Sequence, residues 1–211
     1  MKALKQLGHN AIRWIDSEAE SNNGASANAK NMSDASVNGR HVNWQRIIPF
    51  FAVHLTCLFV FVVGWSPVAI IVCLVMFWLR MFAITAFYHR YFSHRSFKTN
   101  RFWQFVFAVI GASAAQRGPL WWASHHRKHH KYADDDKDLH SPKNGFWWSH
   151  VGWFTCEDAF KTDYSVIKDL AKFPELRFIN RFDILVPFLC ATSILSFIHN
   201  LPCRTHRHAR T

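Results

Sequence analysis

Two apolar runs separated by a short uncharged turn constrain this chain more than any other feature. From Ile47 to Val63 about 17 residues are apolar, interrupted only by Pro49, His54 and Thr56. Gly64-Trp65-Ser66-Pro67 follows, and Val68 to about Tyr88 continues apolar apart from Arg80. The hydrocarbon core of a bilayer takes roughly 20 residues of helix, and in lipid only helices or closed barrels satisfy their own backbone. The runs therefore predict two spanning helices joined by a tight loop. Arg40 and Arg46 precede the pair, Arg90, Arg95, Lys98 and Arg101 follow it, and the turn carries no charge. Basic residues favour the cytosolic side, so both outer ends are expected in the cytoplasm.

The rest of the 211 residues fits the same class. Half are hydrophobic, yet the mean hydropathy is near zero because apolar segments alternate with strongly polar ones. The formal charge of +11 would suit nucleic acid or an anionic membrane face. The basic residues flank apolar runs and form no separate basic domain, so membrane lipid is the expected partner and nucleic acid is not. Phe102 to Gln116 is apolar but short, and is expected in or just below the interface; Ile184 to Ile198 reads as a third span. Arg80 inside the second run is expected to snorkel or to be paired internally.

Residues 1–43 read as a polar region: Leu4, Leu7, Ala11, Ile12, Trp14 and Ile15 suit one face of a surface helix, and 21–39 have the composition of a disordered linker. Residues 44–199 form the main domain and 200–211 a basic tail. Cys57, Cys73, Cys156, Cys190 and Cys203 show no Cys-x-x-Cys pairing and read as reduced thiols, and no secretory signal peptide is visible. The expected fold is an all-α integral membrane protein, a helical bundle of about three spans with a cytosolic cap.

That cap is dense in imidazole. His89 and His94 close the second apolar run, and Trp121-Trp122-Ala123-Ser124-His125-His126-Arg127-Lys128-His129-His130 follows some thirty residues later. If 121–131 are helical, His126, His129 and His130 fall on one face, close enough to converge on one or two ions, although His125 shares an i, i+4 relation with His129. His89 and His94 would diverge by about 140° on an ideal α-helix, so they meet only if the helix ends or the ions lie between helices. Imidazole suits iron, zinc, copper and nickel alike. His54 and His199 are expected to be hydrogen-bonded interfacial residues, and Asp134-Asp135-Asp136-Lys137-Asp138 a solvated loop; support of the ligand imidazoles by these carboxylates is the minor alternative.

These residues resemble a known family. His89-Arg90-Tyr91-Phe92-Ser93-His94 and His126-Arg127-Lys128-His129-His130 are similar to the first two histidine boxes of membrane fatty acid desaturases. Ser96-Phe97-Lys98, Gly118-Pro119-Leu120-Trp121-Trp122, His140-Ser141-Pro142 and Gly145-Phe146-Trp147-Trp148-Ser149-His150-Val151-Gly152-Trp153 resemble the acyl-CoA, stearoyl-type (delta-9-like) branch, over about residues 47–185. The resemblance implies four spans and two non-haem irons. It implies O2 as co-substrate, electrons from a small electron-transfer protein and its reductase, and removal of two hydrogens from adjacent methylenes of an acyl-CoA or other acyl thioester or lipid. It makes His89, His94, His126, His129 and His130 metal ligands and gives His125 a non-ligand slot.

The sequence also departs from the family. No His-x-x-His-His box follows His150, and His199, His206 and His208 do not fit one. The chain therefore reads as a C-terminally truncated desaturase, expected to be inactive alone. A related histidine-box hydroxylase and a non-catalytic membrane metal-binding protein are the alternatives.

Overall fold

The computed structural model describes residues 12–19, 36–37, 40–42, 44–64, 66–133, 135 and 137–200. Most of the expected N-terminal helix and linker, Asp134, Asp136 and the tail beyond Asn200 lie outside the described residues. The described residues form helices joined by turns and loops, with a two-residue antiparallel pair, Ser36–Val37 with Arg40–His41, and an isolated bridge between Val42 and Cys156.

Helix α1, Trp44–Thr56, continues through a 3₁₀ turn, Cys57–Phe59, to Val63. Pro49 lies inside it, and the apolar stretch Ile47–Val63 is shorter than the full span expected of it. Gly64 then takes φ 79°, a left-handed turn open to glycine without strain. Helix α2, Pro67–Ala83, starts where the sequence provides for it: the Ser66 hydroxyl accepts from Ala69 N at 3.4 Å and Pro67 occupies the first turn. It runs without a break into a π-helical segment, Ile84–Ser93. Together Pro67–Ser93 is the one helix, among the described residues, that is long and apolar enough to cross a membrane, and only 6% of its most apolar window is buried within the protein.

Helix α3, Arg101–Ala112, is capped by the Asn100 side chain, which accepts from Trp103 N at 3.0 Å. Helix α4, Pro119–Lys131, carries the second histidine group. Short turns lead through Trp148–Gly152 and Tyr164–Val166 to a one-turn helix, Lys168–Ala171, then to α5, Pro174–Arg181, and α6, Leu185–His199. Helices α5 and α6 meet at 70°, so the expected third span is a 15-residue helix sharply bent from its predecessor.

The packed core lies beneath the histidines. Tyr88, Phe92, Ala108, Ala112, Leu120, Ala123, Ile167 and Leu176 are fully buried, joining the π segment to α3, α4 and α5. Gly111 permits the closest approach: a Cβ there would fall 2.1 Å from the Tyr88 ring. Gly118 does the same for α5, since its Cβ would meet Asn180 Cα at 2.5 Å. Asn180 answers with its side chain, Oδ1 accepting from Trp121 N at 2.7 Å and so satisfying a free donor in the first turn of α4. The opposite is true of α1 and α2, whose Phe61, Val62, Val63 and Trp78 are at least 69% exposed. Faces this apolar and this bare require a non-aqueous neighbour.

Candidate metal centre

His89 and His94 do meet, and the backbone explains how. In the segment Ile84–Ser93 hydrogen bonds run from residue i+5 to residue i, as in His94 N to His89 O at 3.1 Å. Residues five apart are then nearly one turn apart, where an α-helix would splay them. Their Nε2 atoms come within 3.1 Å. On α4 the i, i+4 spacing does the same for His126 and His130, whose Nε2 atoms are 3.0 Å apart. The two helices bring the pairs together, with His94 Nε2 at 3.1 Å from His126 Nε2. Trp122 stacks on the His126 ring at 4.7 Å and fixes its plane.

Four Nε2 atoms at these separations do not make a good hydrogen-bond network. An imidazole nitrogen has either one proton or one lone pair, so each can serve one partner well. His94 Nε2 and His126 Nε2 each face two. At least one of the three contacts has no proper donor–acceptor match. The same distances suit lone pairs aimed at a cation, because nitrogens about 2.1 Å from a metal and at right angles stand about 3.0 Å apart. Burial, then the neighbouring His130, His89, His94 and His129, push the His126 pKa down to about 3, so its ring is neutral and its lone pair available at neutral pH. The donor set therefore fits a borderline transition metal.

His129 lies apart from these four. Its ring is 6.4 Å from that of His126, and its Nδ1 contacts Asp138 Oδ2 at 2.9 Å. His140 stacks on it at 4.1 Å, so His129, Asp138 and His140 form a second group with metal-ligand spacing. Asp138 corrects the reading of the acidic run as a solvated loop. Asp135 and Lys137 are exposed, but Asp138 is 2% exposed and also accepts from His140 N at 3.2 Å. A carboxylate on Nδ1 makes that nitrogen the donor and leaves Nε2 with its lone pair, the arrangement typical behind a metal-bound imidazole.

His125 turns the other way. It is buried between the Trp121 and Trp153 rings, with Nε2 at 3.2 Å from Lys161 O. Burial chiefly holds its pKa down, to about 4. His54 Nδ1 contacts Phe50 O within α1, at 2.7 Å, and belongs to neither group. Arg80 contacts Cys190 Sγ on α6 at 3.6 Å. Spacing along α4 could not reveal Asp138 and His140, which reach His129 by a loop. The signals for them were the acidic run, whose carboxylates were the minor alternative as support for the imidazoles, and His140-Ser141-Pro142 in the family resemblance.

Fold and site together show, among the described residues, a helical protein whose long apolar helix ends at an imidazole group that could hold a metal ion. The chain belongs to the fatty acid desaturase family: the family model described as fatty acid desaturase matches residues 41–201. It is 34% identical to the sn-1 stearoyl-lipid 9-desaturase of Anabaena variabilis over 69% of this chain and 54% of that one. It is 32% identical to a probable acyl-CoA desaturase of Schizosaccharomyces pombe over 75% of this chain and 33% of the relative. With Delta-9 acyl-lipid desaturase 1 of Arabidopsis thaliana the identity is 40%, over 59% and 41%. The chain spans about half the length, or less, of these curated relatives.

Proposed function

We propose that these residues are the first part of the catalytic apparatus of an acyl-chain desaturase. The observation that carries the reading is the convergence of His89, His94, His126 and His130 through their Nε2 atoms. His129, oriented by Asp138, faces a second metal position, with His140 beside it. The metals are two non-haem irons. Iron so held supplies the oxidising power, drawn from O2 and two electrons, that an unactivated C–H bond demands. The protein's own residues do the rest: Trp122 fixes the His126 plane, Asp138 fixes the His129 tautomer, and the core beneath holds the two helices in register.

The substrate is a saturated acyl chain carried on CoA, another thioester or a lipid. Relatives named for lipid-linked and CoA-linked substrates support the acyl chain and leave its carrier open. Electrons come from a small electron-transfer protein and its reductase. Pro67–Ser93 spans the membrane with α1 and α6 beside it, and both histidine groups face the cytoplasm, in line with the charge asymmetry about Gly64–Pro67. Among the described residues the second group offers only the imidazoles of His129 and His140 once Asp138 is committed to His129 Nδ1, fewer than the three protein ligands of an O2-activating non-haem iron. The 211-residue chain is accordingly expected to bind iron at less than two per chain and to form no unsaturated product alone.

The test is a chimera in which the C-terminal part of the Anabaena relative follows residue 199, expressed in a host without the activity. Unsaturated fatty acids, measured by gas chromatography of methyl esters, are expected from the chimera and not from its His126→Ala form. An iron-loaded chimera that yields no unsaturated or hydroxylated product would overturn the assignment, and a hydroxylated product alone would make it a hydroxylase.

A further inference from the structure

Arg127 follows His126 directly on α4, and its guanidinium fills the joint between α4, the π segment and residues 164–171. All five of its N–H groups are matched. Nε donates to Ser93 O at 3.1 Å. Nη2 donates to Phe92 O at 2.6 Å and to Asp169 Oδ2 at 3.1 Å. Nη1 donates to Val166 O at 3.1 Å and to Asp169 Oδ1 at 2.7 Å. A guanidinium carries its five donors in one rigid plane, so full matching fixes every group around it, which the three mobile donors of a lysine cannot do. The side chain is 13% exposed, so water does not compete for these bonds.

The acceptors lie at a decisive place. Phe92 and Ser93 end the π segment, where carbonyls have no helical partner of their own, and His94 comes next. Arg127 thus caps the helix of the first histidine pair from the residue next to His126 of the second. Asp169 also takes Arg95 at 2.9 Å, and Arg95 makes the turn that ends that helix with φ 53°, a conformation costly for a residue with a Cβ. One carboxylate therefore holds both the cap and the turn. We propose that Arg127, anchored by Asp169, is the positioning residue that sets His89 and His94 against His126 and His130; the inference rests on the reading of those four imidazoles as a metal site.

The test uses Co2+ as probe on the purified 211-residue chain in detergent micelles. Ligand-field absorption reports affinity and, at saturation, coordination geometry; far-ultraviolet circular dichroism of the metal-free protein reports the fold. Arg127→Lys is expected to keep the helical signal, weaken Co2+ binding by about tenfold or more and alter the saturated spectrum. Asp169→Asn is expected to move both readouts the same way by less. Arg101→Ala removes an exposed two-point ion pair with Glu175, at 2.6 and 2.7 Å, and is expected to leave affinity within about twofold and the spectrum unchanged. If His126→Ala binds Co2+ as the unmodified chain does, the metal reading itself fails. If His126→Ala loses the band while Arg127→Lys and Asp169→Asn keep unmodified affinity and spectrum, the positioning role is overturned. Should Arg127→Lys lose its helical signal, Asp169→Asn decides alone.

Discussion

His94 and His126 stand Nε2 to Nε2 at 3.1 Å although 32 residues separate them in the chain. Neither helix alone supplies enough donors, so a metal bound here ties the end of the π segment to α4. Binding to the folded state alone adds about 2.7 kcal/mol of stability at a hundredfold excess over Kd. Fe2+ or Co2+ is therefore expected to raise the thermal midpoint of the unmodified chain and of His54→Ala alike, and that of His126→Ala or His130→Ala by distinctly less. A metal-dependent rise in the His126 variant equal to that of the unmodified chain would remove His126 from the ligand set.

Asp138 is expected to matter for metal binding without being needed for the first four imidazoles. Asp138→Ala frees His129 Nδ1 and its ring, and orienting carboxylates of this kind are worth about 10–100-fold in affinity. The expected loss falls on the weaker-bound fraction of metal, with the remainder unaffected. Isothermal titration separates the two, and a variant with both fractions intact would show that Asp138 serves only the loop.

Acid is expected to unfold the metal-free protein partly through His125. Its folded pKa of about 4 lies below the ordinary 6.5, owing first to burial, opposed by the Lys161 carbonyl and reinforced by Lys128, Arg117 and His140. The unfolded chain takes up the proton near pH 6.5, so the stabilisation is full above that pH and is lost as pH falls toward about 4. At 1.36 kcal/mol per unit the loss reaches about 3 kcal/mol. His125→Gln does not titrate, and thermal midpoints between about pH 7 and pH 4.5 should fall less steeply for it. Equal slopes for the two proteins would count against the buried neutral ring.

Gly118→Ala is expected to destabilise by about 1–3 kcal/mol, because the new methyl group meets the Asn180 backbone, which cannot swing aside, as well as the Asn180 side chain that holds Trp121 N. Chemical denaturation measures it. A change below about 0.5 kcal/mol would mean that α4 and α5 adjust freely at this contact.

Topology has its own check. A cysteine placed at Asn100 is expected to resist a membrane-impermeant reagent added to intact cells, and one placed at Ser66 to react. The reverse pattern would invert the arrangement proposed for α1 and α2.

Much of this was legible in the sequence, for reasons specific to each element. Ser66-Pro67 and Asn100 are local start signals, and the structure begins α2 and α3 at them. The grouping of His126 with His130 needed only helical periodicity. The meeting of His89 with His94 did not follow from periodicity, since a 3.6-residue repeat separates them and nothing local announces a π segment. Asp138 was hidden by its neighbours: four acidic residues in five suggest solvent, while burial of one depends on the fold around His129. Arg127 and Asp169, 42 residues apart, pair only after α4 and the one-turn helix Lys168–Ala171 are in place.

The π segment makes the distance between His89 and His94 a matter of counting rather than of chemistry. Exchange of Tyr91 or Phe92 for another large apolar residue leaves the number of peptide units intact, but insertion of one residue anywhere between the two histidines swings them to different sides of the helix, whereas loss of one leaves the i, i+4 spacing that already joins His126 to His130. A lineage carrying this segment can therefore drift in its letters but cannot gain a residue. An insertion here would be expected to vanish from the descendants of any active protein.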